Sequence, residues 1–319
     1  MIKRKGKRER FRCEMKDVII IGSGPAGLAA AIYARRAGLD MLVLEKNYAS
    51  GGQVLTTYEV DNYPALPGIN GFDLGMQMRE HADRLGAEFK EAEVLSVMNE
   101  GTVKKVVTGE ETLEARSVVL AMGASHAKLS VPGEEELAGM GVSYCATCDG
   151  AFFQNKDVVV IGGGDVAVED AVFLARTSRK VWLVHRRDEL RAAKSLQQKL
   201  FELPNVEVVW DSIVQKIEGG TQVEGVLLTN VKSGEEQRLP VQGVFVAVGI
   251  LPNSGEICKG ARQDEKGYYI AGEDCATSVP GIFAAGDVRT KRLRQIVTAV
   301  ADGANAITGV QDYLVTLKM

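Results

Sequence analysis

Two glycine-rich strings and one closely spaced cysteine pair are the residues of this chain whose types and spacing could do chemistry. The first string reads Gly22-Ser23-Gly24-Pro25-Ala26-Gly27 and the second Gly162-Gly163-Gly164-Asp165-Val166-Ala167. The cysteines are Cys145 and Cys148, followed directly by Asp149 and a glycine. In a dinucleotide-binding string the first glycine permits a tight turn and the second lets the backbone approach a pyrophosphate. The third small residue, here Gly27 or Ala167, lets helix and strand pack closely, and the helix N-terminus favours negative charge. A Cys-x-x-Cys pair can cycle between dithiol and disulfide, and its thiolate can form near neutral pH. Two nucleotide sites and one dithiol imply an electron path from one cofactor to another and on to a disulfide.

The elements around these residues give them their meaning. Asp17 to Ile21 and Asp157 to Ile161 are β-branched runs that read as buried parallel strands leading into the glycines. Helices are expected behind them, from Leu28 to Ala37 and from Val168 to Thr177. The next strands, Met41 to Leu44 and Val181 to Val184, end at Glu45 and His185, each equally far from the first glycine of its string. A carboxylate there accepts hydrogen bonds from ribose hydroxyls and repels a 2′-phosphate. The first site is therefore expected to take an unphosphorylated adenosine ribose, as in FAD or NAD. His185-Arg186-Arg187, with Arg191 nearby, offers forked, charge-assisted contacts to a 2′-phosphate, so the second site is expected to prefer NADPH. The plainer alternative is that these arginines line a solvated helix start.

Composition is that of a two-domain globular protein. At 319 residues the chain exceeds one usual core, and 45% hydrophobic with 25% charged residues is ordinary. A net charge of −4 gives no reason to expect nucleic acid or membrane binding. No apolar run approaches the ~18–20 residues of a membrane span. Five cysteines with a single close pair do not resemble a secreted disulfide framework, which points to a reducing cytoplasm. Cys13, Cys258 and Cys275 are scattered and read as inert. The pair alone could be half a zinc site, but no second Cys or His pair stands at ligand spacing. The basic stretch at 1–14 is expected to be a mobile extension rather than a targeting or nucleic-acid arm.

Three strand-exit signals order the domains. They are Ser117 to Ala124, which includes Ala121 and Gly123, then Gly243 to Asn253, then Pro280 to Asp287. An α/β fold of two Rossmann-like dinucleotide-binding domains is expected, the second inserted within the first. The boundaries place 15–127 and 253–319 in the first domain and 128–252, with the cysteines, in the second. Asn47 to Gly71 reads as a loop-rich part of the first site.

With these motifs in this order, the chain resembles the low-molecular-weight bacterial thioredoxin reductases from about Met15 onward. The resemblance is carried by the first string with Glu45, Gly51-Gly52-Gln53, Cys145 to Gly150, the second string with His185-Arg186-Arg187, and Gly286-Asp287 followed by Arg294-Gln295. It implies FAD in the first domain and NADPH in the inserted one. It places Asp287 on the ribityl chain of the flavin, with Gly52, Gln53, Asn62, Ala121, Gly123, Gly286, Arg294, Gln295 and Ile296 around the cofactor. It makes Cys148 the flavin-facing sulfur, Cys145 the attacker of a thioredoxin disulfide and Asp149 the proton donor. It also implies a homodimer whose two domains rotate between steps.

Several neighbouring readings are disfavoured by particular residues. Glutathione reductase and lipoamide dehydrogenase carry their disulfide in the flavin domain, and Asn47 to Gly71 holds no cysteine. Dithiol oxidases of similar architecture tend to lack a basic 2′-phosphate cluster. A ferredoxin–NADP reductase would not require the cysteines, and a mere NADPH sensor would not require an intact dithiol. Val166 departs from the family, where Ser or Thr is frequent, and removes one hydroxyl contact to the NADPH phosphates. His126 carries no mark of a base.

Overall fold

The computed structural model of the protein describes residues 15–57, 60 and 62–318. The basic stretch 1–14 lies outside the described residues. The chain divides into two compact units. One takes in the chain as far as Gly52, then Gly75–Gly123 and everything from Pro252 onward; the other is Gln53–Leu74 with Ala124–Leu251. The layout drawn from sequence kept all of 15–127 in the first domain, whereas Gln53–Leu74 groups with the second unit. That segment is closed by its own backbone: Thr57 N–H donates to Val54 O at 3.0 Å, Val60 N–H to Ile69 O at 2.8 Å and Gly71 N–H to Thr57 O at 2.8 Å. It is an internally bonded loop and adds no strand to the first sheet.

The first unit is built on a mixed sheet. Strand Lys16–Ile21 pairs in parallel with Met41–Glu45 on one side and Thr112–Leu120 on the other, and Ile282–Ala284 also pairs in parallel with Thr112–Leu120. Strands Val94–Glu100 and Val103–Thr108 extend the sheet antiparallel. Strand Thr112–Leu120 shows both regimes in its sequence. Its first residues alternate exposed and buried where it pairs antiparallel, and its last four are all buried where it is central. Register then aligns the parallel ends. Ile21 lies opposite Leu44 and Leu120, and Leu120 opposite Ala284, so Gly22, Glu45, Ala121 and Ala285 leave from one edge.

Period-two alternation divides the core of this unit. Val18 and Ile20 join Leu28, Ile32, Ile307 and Val310 on the helix side, while Ile19 and Ile21 join Val106, Val118 and Tyr269 on the other. Each fully buried aliphatic side chain contributes about 1.5–3 kcal/mol. The helix side consists of Pro25–Arg36, which starts with proline at its first turn, and the C-terminal helix Ile296–Thr316. These two helices touch backbone to backbone: a Cβ on Gly303 would lie 2.2 Å from Ala26 O and 2.8 Å from Ala30 N.

The second unit repeats the scheme with a smaller sheet. Its five strands run in the order Val206–Val209, Lys180–Val184, Asp157–Gly162, Gly243–Ala247 and Val142–Ser143, all parallel. Val159 and Ile161 face one core cluster, Val158 and Val160 the other. A three-stranded antiparallel sheet from Ser212 to Leu239 accompanies it. Register places Ile161 opposite Val184 and Val246, and Phe245 opposite Ser143. The second glycine string, His185 and the cysteine pair therefore all leave from the carboxyl edge of one sheet. Among the described residues, no helix is long and apolar enough to cross a membrane.

The close helix contact gives a direct test. Gly303→Ala forces backbone apart, and overpacking of this kind costs about 1–3 kcal/mol. A melt of the purified variant is expected to fall by several degrees; an unchanged midpoint would show that the two helices are free to separate.

Candidate functional site

The first nucleotide string forms a bare backbone cradle at the carboxyl edge of its sheet. Gly22 has φ +99°, and a Cβ there would lie 2.5 Å from Ala121 O. A Cβ on Gly27 would fall 1.9 Å from Gly22 O, so the helix starting at Pro25 and including Ala26 sits hard against the turn. Gly51 N–H donates to Ser23 O at 2.9 Å, and Gly52 lies against Gly24. Glu45 stands at its expected strand end and is tied to the string: Oε2 accepts from Ser23 N–H and Ser23 Oγ–H, both at 2.8 Å. Its Oε1 accepts from Asn47 N–H at 2.9 Å and Asn47 Nδ2 at 3.0 Å. These fill the roughly four acceptor positions of a carboxylate, so a ribose diol would take over the places of the two side-chain donors.

A second wall of this site is the turn Gly286–Val288 at the end of strand Ile282–Ala284. Oδ1 of Asp287 is buried and has no hydrogen-bond partner among the described residues, and the same holds for Nε of Arg294. Burial pushes the Asp287 carboxyl up, with Lys291 and Arg294 partly offsetting this. The Arg294 guanidinium lies over the Tyr268 ring, 4.2 Å from its centroid. A buried polar atom without a partner costs about 1–3 kcal/mol, which a ligand hydroxyl or phosphate would recover. One unpartnered acceptor, one unpartnered donor and a glycine cradle fit a flavin dinucleotide. Gln295, which the resemblance set beside the cofactor, closes a capping box with Thr298 at the start of the helix opening with Ile296. Gly123 O accepts from Asn253 N–H at 3.0 Å where the chain returns to this unit. Gln53 follows Gly52, which lies against Gly24, and with Asn62 belongs to the segment Gln53–Leu74.

Behind the turn lies a buried ion network with no counterpart in the sequence reading. Asp302 Oδ1 accepts from Arg289 Nη2 at 2.7 Å, and Oδ2 accepts from Arg289 Nε at 2.9 Å, Lys291 Nζ at 2.8 Å and Gly286 N–H at 2.9 Å. The three side chains are 10% exposed or less. The signal was a buried aspartate in the C-terminal helix, and it has meaning only once Arg289 and Lys291 are seen to face it.

In the second unit the glycine string is held by the loop that carries Arg191. Arg191 N–H donates to Gly163 O at 2.8 Å, and Ala193 N–H to Asp165 Oδ1 at 2.8 Å. Gly164 has open space where a Cβ would stand, and Val166 is 55% exposed beside it. Arg186, Arg187 and Arg191 are exposed and have no ion-pair partner among the described residues. His185 differs from them. It is 5% exposed, and a Cβ on Gly163 would lie 2.2 Å from its ring. Burial and then the flanking arginines push its pKa down, so it supplies shape and no charge. The basic cluster is three arginines around a neutral imidazole.

Cys145 and Cys148 form a disulfide, with Cα atoms 5.3 Å apart, at the start of the short helix Ala146–Asp149. The amides of Cys148 and Asp149 both donate to Cys145 O, at 3.2 and 3.1 Å. Ser143, on the edge strand, connects the pair to the acid: its Oγ accepts from Cys145 N–H at 3.1 Å and donates to Asp149 Oδ2 at 2.6 Å. Burial pushes the Asp149 carboxyl up, and the Ser143 bond offsets part of that. Asp149 therefore keeps its proton to higher pH than an ordinary aspartate, as a proton donor requires. The residue before the pair is anchored too. Tyr144 OH donates to the buried Glu134 at 3.0 Å and its ring stacks on His126, centroids 5.4 Å apart. Among the described residues, no group of three or more His, Cys, Asp or Glu side chains could hold a metal ion.

Comparison with known proteins agrees with this arrangement. Residues 16–303 match the pyridine nucleotide-disulphide oxidoreductase family. The chain is 47% identical over 303 residues to the thioredoxin reductase of Listeria monocytogenes, covering 95% of both chains. It is 46% identical to that of Bacillus subtilis, over 95% of this chain and 96% of the relative. Among solved structures, thioredoxin reductase from Streptococcus pyogenes superposes with a TM-score of 0.87 at 45% identity, covering 95% of this chain and 99% of the other.

Cysteine environment predicts reactivity. Burial pushes the Cys275 thiol up to about 12, and burial also raises that of Cys258. Alkylation of the native protein near neutral pH is expected to leave both unlabelled, and to label Cys145 and Cys148 rapidly only after reduction. Peptide mapping reads this out; fast labelling of Cys275 without unfolding would contradict its burial.

Proposed function

The chain belongs to the pyridine nucleotide-disulphide oxidoreductase family, and on that premise we propose that it is a thioredoxin-disulfide reductase using NADPH and FAD. The observation that carries the proposal is the Cys145–Cys148 disulfide on the same sheet edge as the second nucleotide string, with the raised carboxyl of Asp149 beside it. The names of its relatives support the same reading. When bound, FAD and NADPH supply hydride and electron transfer, ending in a reduced Cys145–Cys148 pair.

The chain's own residues divide the remaining work. In the first unit, Gly22, Ser23, Gly24 and Gly27 hold a pyrophosphate by backbone, Glu45 takes an adenosine ribose, and Asp287 with Arg294 meets the flavin side. In the second, Gly162 to Val166 cradles the NADPH pyrophosphate while Arg186, Arg187 and Arg191 meet its 2′-phosphate. Cys145 as thiolate attacks one sulfur of the thioredoxin disulfide, forming a mixed disulfide and releasing the other sulfur as thiolate. Cys148 then attacks Cys145 Sγ, which expels the second thioredoxin thiolate and restores the Cys145–Cys148 bond. The two electrons delivered to thioredoxin are those taken from NADPH. Asp149, held by Ser143 through Oδ2, carries its proton on Oδ1 and gives it to a leaving thiolate. The reading extends to a cytoplasmic homodimer, in keeping with the family resemblance and with free, buried Cys258 and Cys275.

Two measurements test the proposal. NADPH oxidation by FAD-loaded protein is expected to depend on added thioredoxin, to exceed oxygen consumption and to vanish in Cys145→Ser. Rapid turnover with oxygen alone would assign the chain to the oxidases instead. Cofactor choice is read separately: each charge-assisted bond to phosphate contributes about 1.5–3 kcal/mol. Arg186→Ala with Arg187→Ala is therefore expected to raise KM for NADPH roughly tenfold or more and leave that for NADH unchanged. Equal losses for both nucleotides would remove the 2′-phosphate role from these arginines.

A further inference from the structure

Asp302 lies where the C-terminal helix meets both walls of the first nucleotide site. Its Oδ2 accepts from the amide of Gly286, the residue that opens the turn bearing Asp287. Gly286 has φ +78°, and a Cβ there would lie 2.9 Å from Ala26 Cβ, so the turn is seated on the first glycine string as well. The next residue after Asp302 is Gly303, whose Cα lies against Ala26 O and Ala30 N of the helix behind that string. One turn of one helix thus touches the pyrophosphate cradle and the Asp287 turn together.

The carboxylate cannot swing away from this position. Arg289 grips it with two parallel bonds, at 2.7 and 2.9 Å, and fixes its own guanidinium by donating to Ala271 O at 3.2 Å and Thr290 O at 2.9 Å. Lys291 adds a third cationic bond at 2.8 Å. A bidentate Arg–carboxylate pair fixes orientation as well as distance. Asp302 Oδ2 nonetheless also accepts from a backbone amide of the turn, which a purely charge-pairing role would not require.

We propose that Asp302 is a positioning residue of the flavin site: it tethers the Gly286–Val288 turn so that Asp287 presents its free Oδ1 to the cofactor. The inference rests on the reading of the first unit as the FAD site. It assigns the affinity for FAD in part to a side chain that never touches the cofactor.

FAD titration of apoprotein, followed by flavin fluorescence, tests it with three variants. Asp302→Asn is expected to raise the Kd for FAD roughly tenfold or more, a loss of about 1.4 kcal/mol at least. The flavin that it does bind is expected to show an altered visible absorption envelope. Because this change also strips two buried cations of their partner, Val106→Ala, on strand Val103–Thr108, serves as a destabilised control in the core of the same unit. That control is expected to lower the melting temperature while holding the Kd within about threefold. Where Asp302→Asn does not fold, Arg289→Lys is read instead; it keeps the charge, breaks the two-bond grip and is expected to weaken FAD binding several-fold. Parent-like FAD affinity in these turn variants overturns the proposal, as does equal weakening in the Val106→Ala control. A parent apoprotein that fails to bind FAD at all sinks the cofactor reading itself, a different outcome.

Discussion

Parallel strand pairing is the constraint on which the rest of this molecule depends. Strands that pair in parallel run the same way, so the chain must return by a crossover between them. All the carboxyl ends accordingly arrive at one edge, followed by turns and helix starts that present unpaired amide groups. In the first unit that edge collects Gly22, Glu45, Ala121 and Ala285; in the second it collects Gly162, His185 and the approach to Cys145. Side chains of quite different chemistry are brought together by hydrogen-bond register alone. Small residues then let backbone come close.

Charge is used differently at the two edges. In the first unit, the buried Asp302 is shared by Arg289 and Lys291, and Glu45 is held by Ser23 and Asn47. Breaking such a buried group costs several kcal/mol, so these residues define one geometry and hold it. In the second unit Arg186, Arg187 and Arg191 are exposed and have no ion-pair partner among the described residues, with the neutral His185 packed inside. Exposed guanidiniums keep their hydration and their rotamer freedom until an anion arrives. The first arrangement suits a cofactor that stays, the second a nucleotide that exchanges.

Much of this was legible in the sequence because the signals were local. The β-branched runs ending in glycine, the strand ends at Glu45 and His185 and the Cys-x-x-Cys pair each lie within one short window, and periodicity fixes which way they face. The helices start earlier than read, at Pro25 and Asp165, because the string's own residues form the first turn. What escaped were contacts between distant windows. Asp302 is read as a polar residue on a helix until Arg289 and Gly286 come to face it. Ser143 is a strand-end serine until the chain turns at Cys145 and brings Asp149 back to it. His185 was grouped with the arginines, yet it is packed against Gly163 and buried while Arg186 and Arg187 are exposed. Gln53–Leu74 was assigned by its place in the chain, and its closure by its own backbone bonds had no local signal.

The contact of Gly303 with Ala26 also has a consequence for how the chain is made. The five-stranded sheet is contiguous from Val142 to Ala247, so during synthesis all its strands are available before Ile282–Ala284 and the C-terminal helix have emerged. The first unit has no such independence. Its central strand Thr112–Leu120 waits for Ile282–Ala284, and its helix Pro25–Arg36 waits for Ile296–Thr316 to cover Leu28 and Ile32. Pairings of such long sequence separation are slow and leave apolar surface open until they form. The unit whose strand comes first is thus the last to close, and the apolar face of Val18 and Ile20 is the part of the nascent protein that most needs shelter from aggregation.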